Sequence, residues 1–365
     1  MINKMTDSEV YLKDLLDKLE HSIDDFHYTD GGKSYYLLEK IHTYGHGLTD
    51  FQNPIYNAET NYSDFAYFIN GFLQRFKYRF DYFTWNDYTE INNFDTLPYL
   101  HRILAIFNEH GVFNKLVFRD GRLNATSNKV NLEPTPFFLG VSSIGSCIIK
   151  SRKFKKKFIF LSRVPKPHRE DIWYFLKHKN ILKDSLWSYQ TNDKIKNPFF
   201  KSIEGGVIHD DTQGIAMLDD QHQAKPYQKD AFCSIVCETY FNINQPIRRG
   251  DVVTHPMFIT EKTDKCFSIG NPFVMVSTPH FLKHLKELGF KTFDKWWDES
   301  YDEEENDNKR MESIYKVIDT INQWPIEYCE KVYEEMIPIL THNQKIQKRY
   351  FNKNKKYINQ YNVSL

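Results

Sequence analysis

Thr260-Glu261-Lys262-Thr263 places a carboxylate and an ammonium side by side at the opening of a short helix. Ser268-Ile269-Gly270-Asn271-Pro272-Phe273-Val274-Met275-Val276 then reads as a turn and a buried strand. A helix start offers unpaired backbone N–H groups and the positive end of the helix dipole, so a lysine there adds to a diphosphate site. The adjoining Glu261 can accept hydrogen bonds from a ribose. This pairing suits a nucleoside-diphosphate sugar.

Two further stretches point to the same crevice. In Phe160-Leu161-Ser162-Arg163-Val164-Pro165-Lys166-Pro167-His168-Arg169 a buried strand ends at Ser162, basic groups fill the turn, and a helix begins near His168. Ligands of open α/β sheets sit beyond the carboxyl ends of the strands, which puts Arg163 and Arg169 where a phosphate is held. A solvated basic turn is the other reading of these residues. Ser234-Ile235-Val236-Cys237-Glu238-Thr239 is an apolar strand ending in a carboxylate, so Glu238 falls at a strand end as well. It either faces the ligand or serves to cap a neighbouring helix or pair with an arginine.

Other constellations carry less. His209-Asp210-Asp211 and Asp219-Asp220-Gln221-His222 lie in a long polar segment without companion ligand spacing, so no metal site is assigned. No Asp-x-Asp occurs in the chain. The run Lys150, Arg152, Lys153, Lys155, Lys156, Lys157 reads as a domain-edge patch or a contact for nucleic-acid phosphates. A general base for an acceptor hydroxyl has candidates in His46, Asp50, Glu109, His110 and Asp120, and their spacing selects none.

The ordered set strand-Ser-Arg-x-Pro-x-Pro-His-Arg, strand-Glu-Thr, Thr-Glu-Lys-Thr, Gly-Asn-Pro-Phe, Leu-x-x-Leu-x-x-Leu-Gly-Phe-x-Thr-Phe-Asp and Asp-Glu-Ser-Tyr-Asp covers about residues 157 to 322. It resembles a family of glycosyltransferase-like proteins of phages, giant viruses and bacteria. Their donor half is similar to that of the α-1,3-fucosyltransferases of the GT-B fold. The resemblance implies that Glu261 contacts ribose hydroxyls, that Lys262 contacts the diphosphate, and that Arg163 supports the same phosphates. It implies sugar transfer with inversion. Asp264 and Lys265, and a long loop at about 191 to 230, depart from the family pattern and leave sugar and base open.

These residues need elements to hold them. Strands are expected at 158 to 162, 186 to 189, 231 to 237 and 273 to 276, alternating with helices at about 168 to 179, 261 to 268 and 280 to 288. Short unalternated apolar strands between helices mark a parallel sheet covered on both faces, a Rossmann-like domain. Thr278 is expected to cap the last of these helices and Gly289 to end it. An acidic linker at 298 to 308 and helices at about 309 to 322 and 326 to 340 follow.

Upstream, helical spacing of apolar residues appears at 8 to 22 and through Phe68, Phe72, Phe76 and Phe80. Residues 28 to 62 read as loop, Leu100 to Glu109 as helix, and Val112 to Phe118 as strand. The basic run predicts a boundary near 150. The expected organisation is an acceptor-binding domain over 1–150, a nucleotide-sugar domain over 151–340, and a partly helical or mobile tail over 341–365.

With 365 residues, 41% hydrophobic, 16% aromatic and a formal net charge of zero, the chain has the composition of a globular protein with two cores. It does not read as a uniformly basic nucleic-acid binder. No apolar run spans a bilayer and no signal-peptide core is evident, which predicts the cytoplasm, or the host cytoplasm for a viral source. Five cysteines without a Cys-x-x-Cys pair indicate neither a disulfide framework nor a zinc site.

The expected fold is α/β and GT-B-like, with two Rossmann-like domains facing a cleft. The expected function is metal-independent transfer of a sugar from a nucleoside-diphosphate donor, with no other cofactor, to a hydroxyl on a glycan, a lipopolysaccharide or a modified DNA base. A nucleotide-binding or nucleic-acid-associated protein with an inactive transferase-like domain is the alternative.

Overall fold

The computed structural model describes residues 16–17, 27–30, 32–37, 69–87, 100–123, 127, 130–136, 138–140, 146–162, 166–189, 228–246, 252–254 and 256–362. The chain is mixed α/β and divides into two compact units, Met1–Thr135 with Lys356–Leu365, and Pro136–Lys355.

The first unit is built on a five-stranded sheet of order β1-β2-β3-β4-β5: β1 (His27–Asp30), β2 (Lys33–Leu37), β3 (Tyr82–Asp87), β4 (Leu116–Asp120) and β5 (Leu132–Pro134). The pair β1–β2 is antiparallel, and the others run parallel. Residues 69–76 and α1 (Leu100–Glu109) are helical. Of the aromatic stripe, Phe72 and Phe76 are buried on the 69–76 helix and Phe68 lies outside the described residues; Phe72 meets Phe83 of β3 edge to face, and Phe83 meets Phe107 of α1 likewise. Phe80 lies beyond the helix end and packs edge to face on Phe83.

The loop expected from residue 28 is corrected at its start by the β1–β2 hairpin. Asp30 pairs with Lys33, and Gly32 before that pair adopts φ 77°. Asp-Gly-Gly is a hairpin signal. It was obscured because strands of four and five residues are too short to display alternation. Of the first expected helix only residues 16–17 are described, and they are helical.

The second unit contains a parallel sheet of order β11-β8-β6-β7: β6 (Lys156–Ser162), β7 (Ser185–Tyr189), β8 (Ala231–Cys237) and β11 (Phe273–Val276). A small antiparallel pair, β9 (Asn244–Pro246) and β10 (Val252–Thr254), stands apart from it. Every residue of β8 and β11 is buried, as a sheet covered on both faces requires.

In-register partners on parallel strands point the same way, so Phe160, Ser162 and Tyr189 face one side and Ile159, Ser234 and Phe273 the other. α2 (Pro167–His178) covers the first face through Trp173, stacked 5.3 Å from Tyr189. α3 (Glu261–Ile269) covers the second through Phe267, 5.9 Å from Phe273. Full burial of each large apolar side chain stabilises by about 1.5–3 kcal/mol.

The short α4 (Phe281–Glu287) follows β11. Its cap is not Thr278, whose hydroxyl donates to the Pro256 carbonyl at 3.0 Å. The Asp302 carboxylate takes that place from a distance, accepting from the Leu282 N–H at 2.8 Å and the Lys283 N–H at 2.9 Å. The segment read as an acidic linker is therefore partly core: Tyr301 and Asp302 are buried in a 3-10 turn, and the Tyr301 hydroxyl accepts from Met275 N. α5 (Asp307–Asn322) begins beside it.

The expected tail is the larger correction. α6 runs unbroken from Ile326 to Asn362 and presents a row of amides to the second unit. Asn343 forms a pair of 2.8 Å hydrogen bonds with the Lys291 backbone. Gln344 donates to the Cys147 and Ser268 carbonyls, Gln347 to Asp264, and Asn354 to the Pro136 and Leu139 carbonyls. Asn and Gln at core-facing positions hide an amphipathic helix from any search for apolar periodicity.

These bonds also show why the division between units falls at Thr135–Pro136 rather than near 150. Pro136, Leu139 and Cys147 accept bonds from α6, and the Gly140 N–H donates to the Asp264 carboxylate at 2.7 Å. Gly140 adopts φ 93°, and a Cβ there would lie 2.3 Å from Phe351 N. Asn343→Leu, which leaves the Lys291 N–H and carbonyl without partners, is expected to lower the unfolding free energy by about 1–3 kcal/mol in chemical denaturation.

Candidate functional site at the carboxyl end of β8

β6 lies between β7 and β8, so the chain moves to one side of β6 after α2 and returns on the other side with β8. This reversal is a topological switch point, where open α/β sheets form a ligand crevice beyond their carboxyl ends. The carboxyl ends of β6 and β8 are Ser162 and Cys237-Glu238.

Two helix N-termini meet there. α2 starts at Pro167, whose missing N–H is no loss in a first turn. The His168 Nε2–H donates to the Glu238 carbonyl at 3.0 Å and the Arg169 guanidinium to the same oxygen at 3.2 Å. α3 is capped by Thr260, whose hydroxyl accepts from the Lys262 N–H at 3.2 Å. It ends at Gly270 with φ 72° and a bond to the Cys266 carbonyl. A strand end, two helix starts and one residue, Glu238, define the site.

The Glu238 side chain is wholly buried. Its Oε1 accepts from the Thr260 N–H at 3.2 Å and from the Thr263 hydroxyl, and its Oε2 from the Thr260 hydroxyl at 2.6 Å. Burial raises its carboxyl above the usual range, and the Lys262 charge with the two hydroxyl bonds offsets that only in part. Of the two roles open to it, Glu238 has that of the helix brace. Arg169, 3% exposed, likewise donates to the Cys237 and Glu238 carbonyls.

Lys262 is the more exposed of the neighbouring charged pair, and Glu261 is buried beside it. The Lys262 Nζ lies 3.1 Å from Glu261 Oε1 and 3.3 Å from the Thr260 hydroxyl, with 20% of the Lys262 side chain and 11% of the Glu261 side chain exposed. Burial by itself would raise the Glu261 carboxyl, but the charges of Lys262 and Lys265 outweigh it and hold the group down at about 2. The Glu261 carboxylate is buried, Lys262 is partly exposed, and both stand at the positive end of α3. That is the arrangement expected of groups receiving a polyanion and a hydroxylated ring.

The structure thus brings Arg169, Glu238, Glu261 and Lys262 together. Arg163, within 163–165, lies outside the described residues, as do both aspartate clusters, His46 and Asp50. His110 hydrogen-bonds Asn70 at 2.6 Å in the first unit, and burial lowers its pKa. Among the described residues no group of three or more metal-ligating side chains occurs, and no helix is long and apolar enough to cross a membrane.

The basic run serves the second unit's own scaffold. Arg152 donates to Asn271 and the Ile269 carbonyl, Lys153 pairs with Glu330, Lys155 with Asp230, and Lys156 and Lys157 reach the Lys183 and Asn322 carbonyls.

Sequence reasoning missed several residues that build the site. Thr260 and Thr263 stood in a quoted motif without a role, although Thr before Glu-Lys is an N-cap signal. Asp264 holds Gly140 and Gln347, and His168 stacks 5.5 Å from Phe241. Arg310, 1% exposed, donates to the Ser277 and Phe241 carbonyls and to Asp307, with its guanidinium 4.4 Å from the Phe241 ring. Nothing local in the sequence marks it.

A cavity of ≈ 30 Å³ lies between α3 and the sheet, lined by Lys262, Lys265, Ser234, Cys266 and Gln228 among others. It has room for a water or two and is far below the size of a nucleotide pocket. A nucleotide held by Lys262 would therefore not lie within it. Comparisons of the chain with protein-family models, curated proteins and solved structures find no match in any of the three.

Burial drives the His168 pKa down to about 3, with the Arg169 charge acting in the same direction, so the ring is neutral in the folded protein. The unfolded chain takes up a proton on His168 below about 6.5. This contribution to stability is whole above that pH and is lost as pH falls toward 3, at up to about 1.4 kcal/mol per pH unit. His168→Gln keeps a donor for the Glu238 carbonyl and removes the titration. Its unfolding free energy is expected to fall less steeply than the parent's between pH 6.5 and 4, and equal slopes in denaturant titrations would contradict the assignment.

Proposed function

We propose that this protein is a glycosyltransferase of GT-B-like organisation, with a donor half similar to that of the α-1,3-fucosyltransferases. It moves a sugar from a nucleoside-diphosphate donor to an acceptor hydroxyl with inversion. The observation that carries this reading is the partly exposed Lys262 ammonium, 3.1 Å from the buried Glu261 carboxylate, at the N-terminus of α3 beside the switch point of a parallel sheet.

In this reading the diphosphate rests against the Lys262 ammonium and the N-terminal turn of α3, and Glu261 accepts from ribose hydroxyls. As the glycosidic bond breaks, negative charge builds on the leaving diphosphate. A preorganised cation with oriented N–H groups stabilises that charge most where water is scarce. The acceptor is bound by the first half of the chain, whose Tyr, Phe, His and Asn residues stack on and hydrogen-bond sugars. The acceptor hydroxyl belongs to a glycan, a lipopolysaccharide or a modified DNA base; Lys153 and Lys155 of the basic run, 89% and 73% exposed, are placed to meet solution phosphates in the last case.

A thermal-shift screen with GDP-, UDP-, CMP- and dTDP-sugars identifies the donor, since a ligand bound only by the folded state raises apparent stability. Lys262→Ala is then expected to weaken nucleoside-diphosphate affinity by more than about tenfold, a phosphate contact in a partly dry site contributing roughly 1.5–3 kcal/mol. Equal calorimetric affinities for variant and parent would make the lysine structural. Transfer and donor hydrolysis are expected to persist in excess EDTA, as Lys262 and the α3 N-terminus supply the compensating charge. Activity lost to the chelator and restored by manganese would place the enzyme in a different mechanistic class. Donor binding with neither hydrolysis nor transfer would identify a nucleotide-binding module instead.

A further inference from the structure

We infer that Glu238 is a positioning residue for the donor site: through the Thr260 hydroxyl it fixes both the backbone N–H and the ammonium of Lys262. The inference rests on the reading of Lys262 as a diphosphate ligand. Glu238 is wholly buried and cannot reach a ligand itself, so any effect it has on binding must pass through its partners.

A threonine hydroxyl has one proton and two lone pairs. At Thr260 all three are engaged: the proton goes to Glu238 Oε2 at 2.6 Å, and the lone pairs receive the Lys262 N–H at 3.2 Å and the Lys262 Nζ at 3.3 Å. The direction of the first bond sets the other two. Because Glu238 takes the proton, the Thr260 oxygen faces Lys262 as an acceptor.

The second carboxylate oxygen holds the rest of the turn, accepting from the Thr260 N–H and the Thr263 hydroxyl. Three donors converge on one carboxylate, two on Oε1 and one on Oε2. An amide in its place offers one acceptor oxygen and an NH₂ group, so a Thr260 or Thr263 donor loses its acceptor and the Thr260 hydroxyl reorients. The backbone carbonyl of the same residue takes His168 and Arg169 from α2, so one residue also sets α3 relative to α2. Displacing a charge-stabilising group by about 1 Å is enough to weaken its action on a bound phosphate.

The test titrates GDP and UDP calorimetrically into the full-length parent and into Glu238→Gln, Thr260→Val, Thr260→Ser and Lys262→Ala, each first shown to melt cooperatively. Glu238→Gln and Thr260→Val are expected to weaken binding of whichever diphosphate the parent takes by about tenfold. Thr260→Ser, which keeps the hydroxyl, should stay within about threefold of the parent. A purely structural brace would lower the melting temperature and leave the affinity of the folded protein unchanged. Parent-like affinity in Glu238→Gln and Thr260→Val, alongside a loss in Lys262→Ala, overturns the inference and spares the reading of Lys262. If Glu238→Gln does not fold, Thr260→Val against Thr260→Ser decides alone. A parent that binds neither diphosphate nor any sugar-linked form overturns the reading itself, and the inference with it.

Discussion

A carboxylate removed from water at the end of a buried strand is the constraint around which the second unit is arranged. Leaving Glu238 uncompensated would cost several kcal/mol, so the chain must deliver donors to it. Thr260 and Thr263 supply them, which forces the first turn of α3 against the carboxyl end of β8. His168 and Arg169 meet the carbonyl of the same residue and bring α2 to the same point. The partly exposed position of Lys262 is a consequence: once the inner face of the α3 turn is committed to Glu238, Lys262 is left toward its outside, beside the buried Glu261.

Many polar residues of the motif-rich half have this inward character. Asp302 caps α4, and Glu299 holds the Phe293 N–H. Asn271 ties its turn to Gln228 and Arg152, and Arg310 joins the loops after β8 and β11 to the start of α5. Each satisfies backbone groups that a compact α/β unit would otherwise bury without partners. Such residues are as demanding of identity as catalytic ones, because a buried donor set fits only one acceptor geometry. A motif in the chain therefore marks chemistry in some positions and architecture in others.

α6 shows the same logic over a longer distance. Its amides clasp α3, the turn after α4 and the segment before β6. Asp264 is part of this clasp through Gly140 and Gln347. The helix carrying the candidate site is thus held at its N-terminus by Glu238 and along its flank by α6.

By itself the sequence missed the short β9–β10 pair and determined the four strands of the second unit's parallel sheet and the helices α2, α3 and α4 nearly to the residue. Their signals are local: short apolar runs and a glycine at a helix end. It also singled out Glu261 and Lys262, since a charged pair at a helix start is legible without knowing the fold. Only the tertiary structure decided which way each polar group faces. Glu238 and Arg169 became braces, Asp302 displaced Thr278 as the cap, and a polar tail became a packed helix. In each case the partner lies far away along the chain or across the sheet: Glu238 with Thr260, Asp302 with Leu282, Asn354 with Pro136. Local spacing carries no record of such pairings, because burial and hydrogen-bond satisfaction are settled only when distant segments meet.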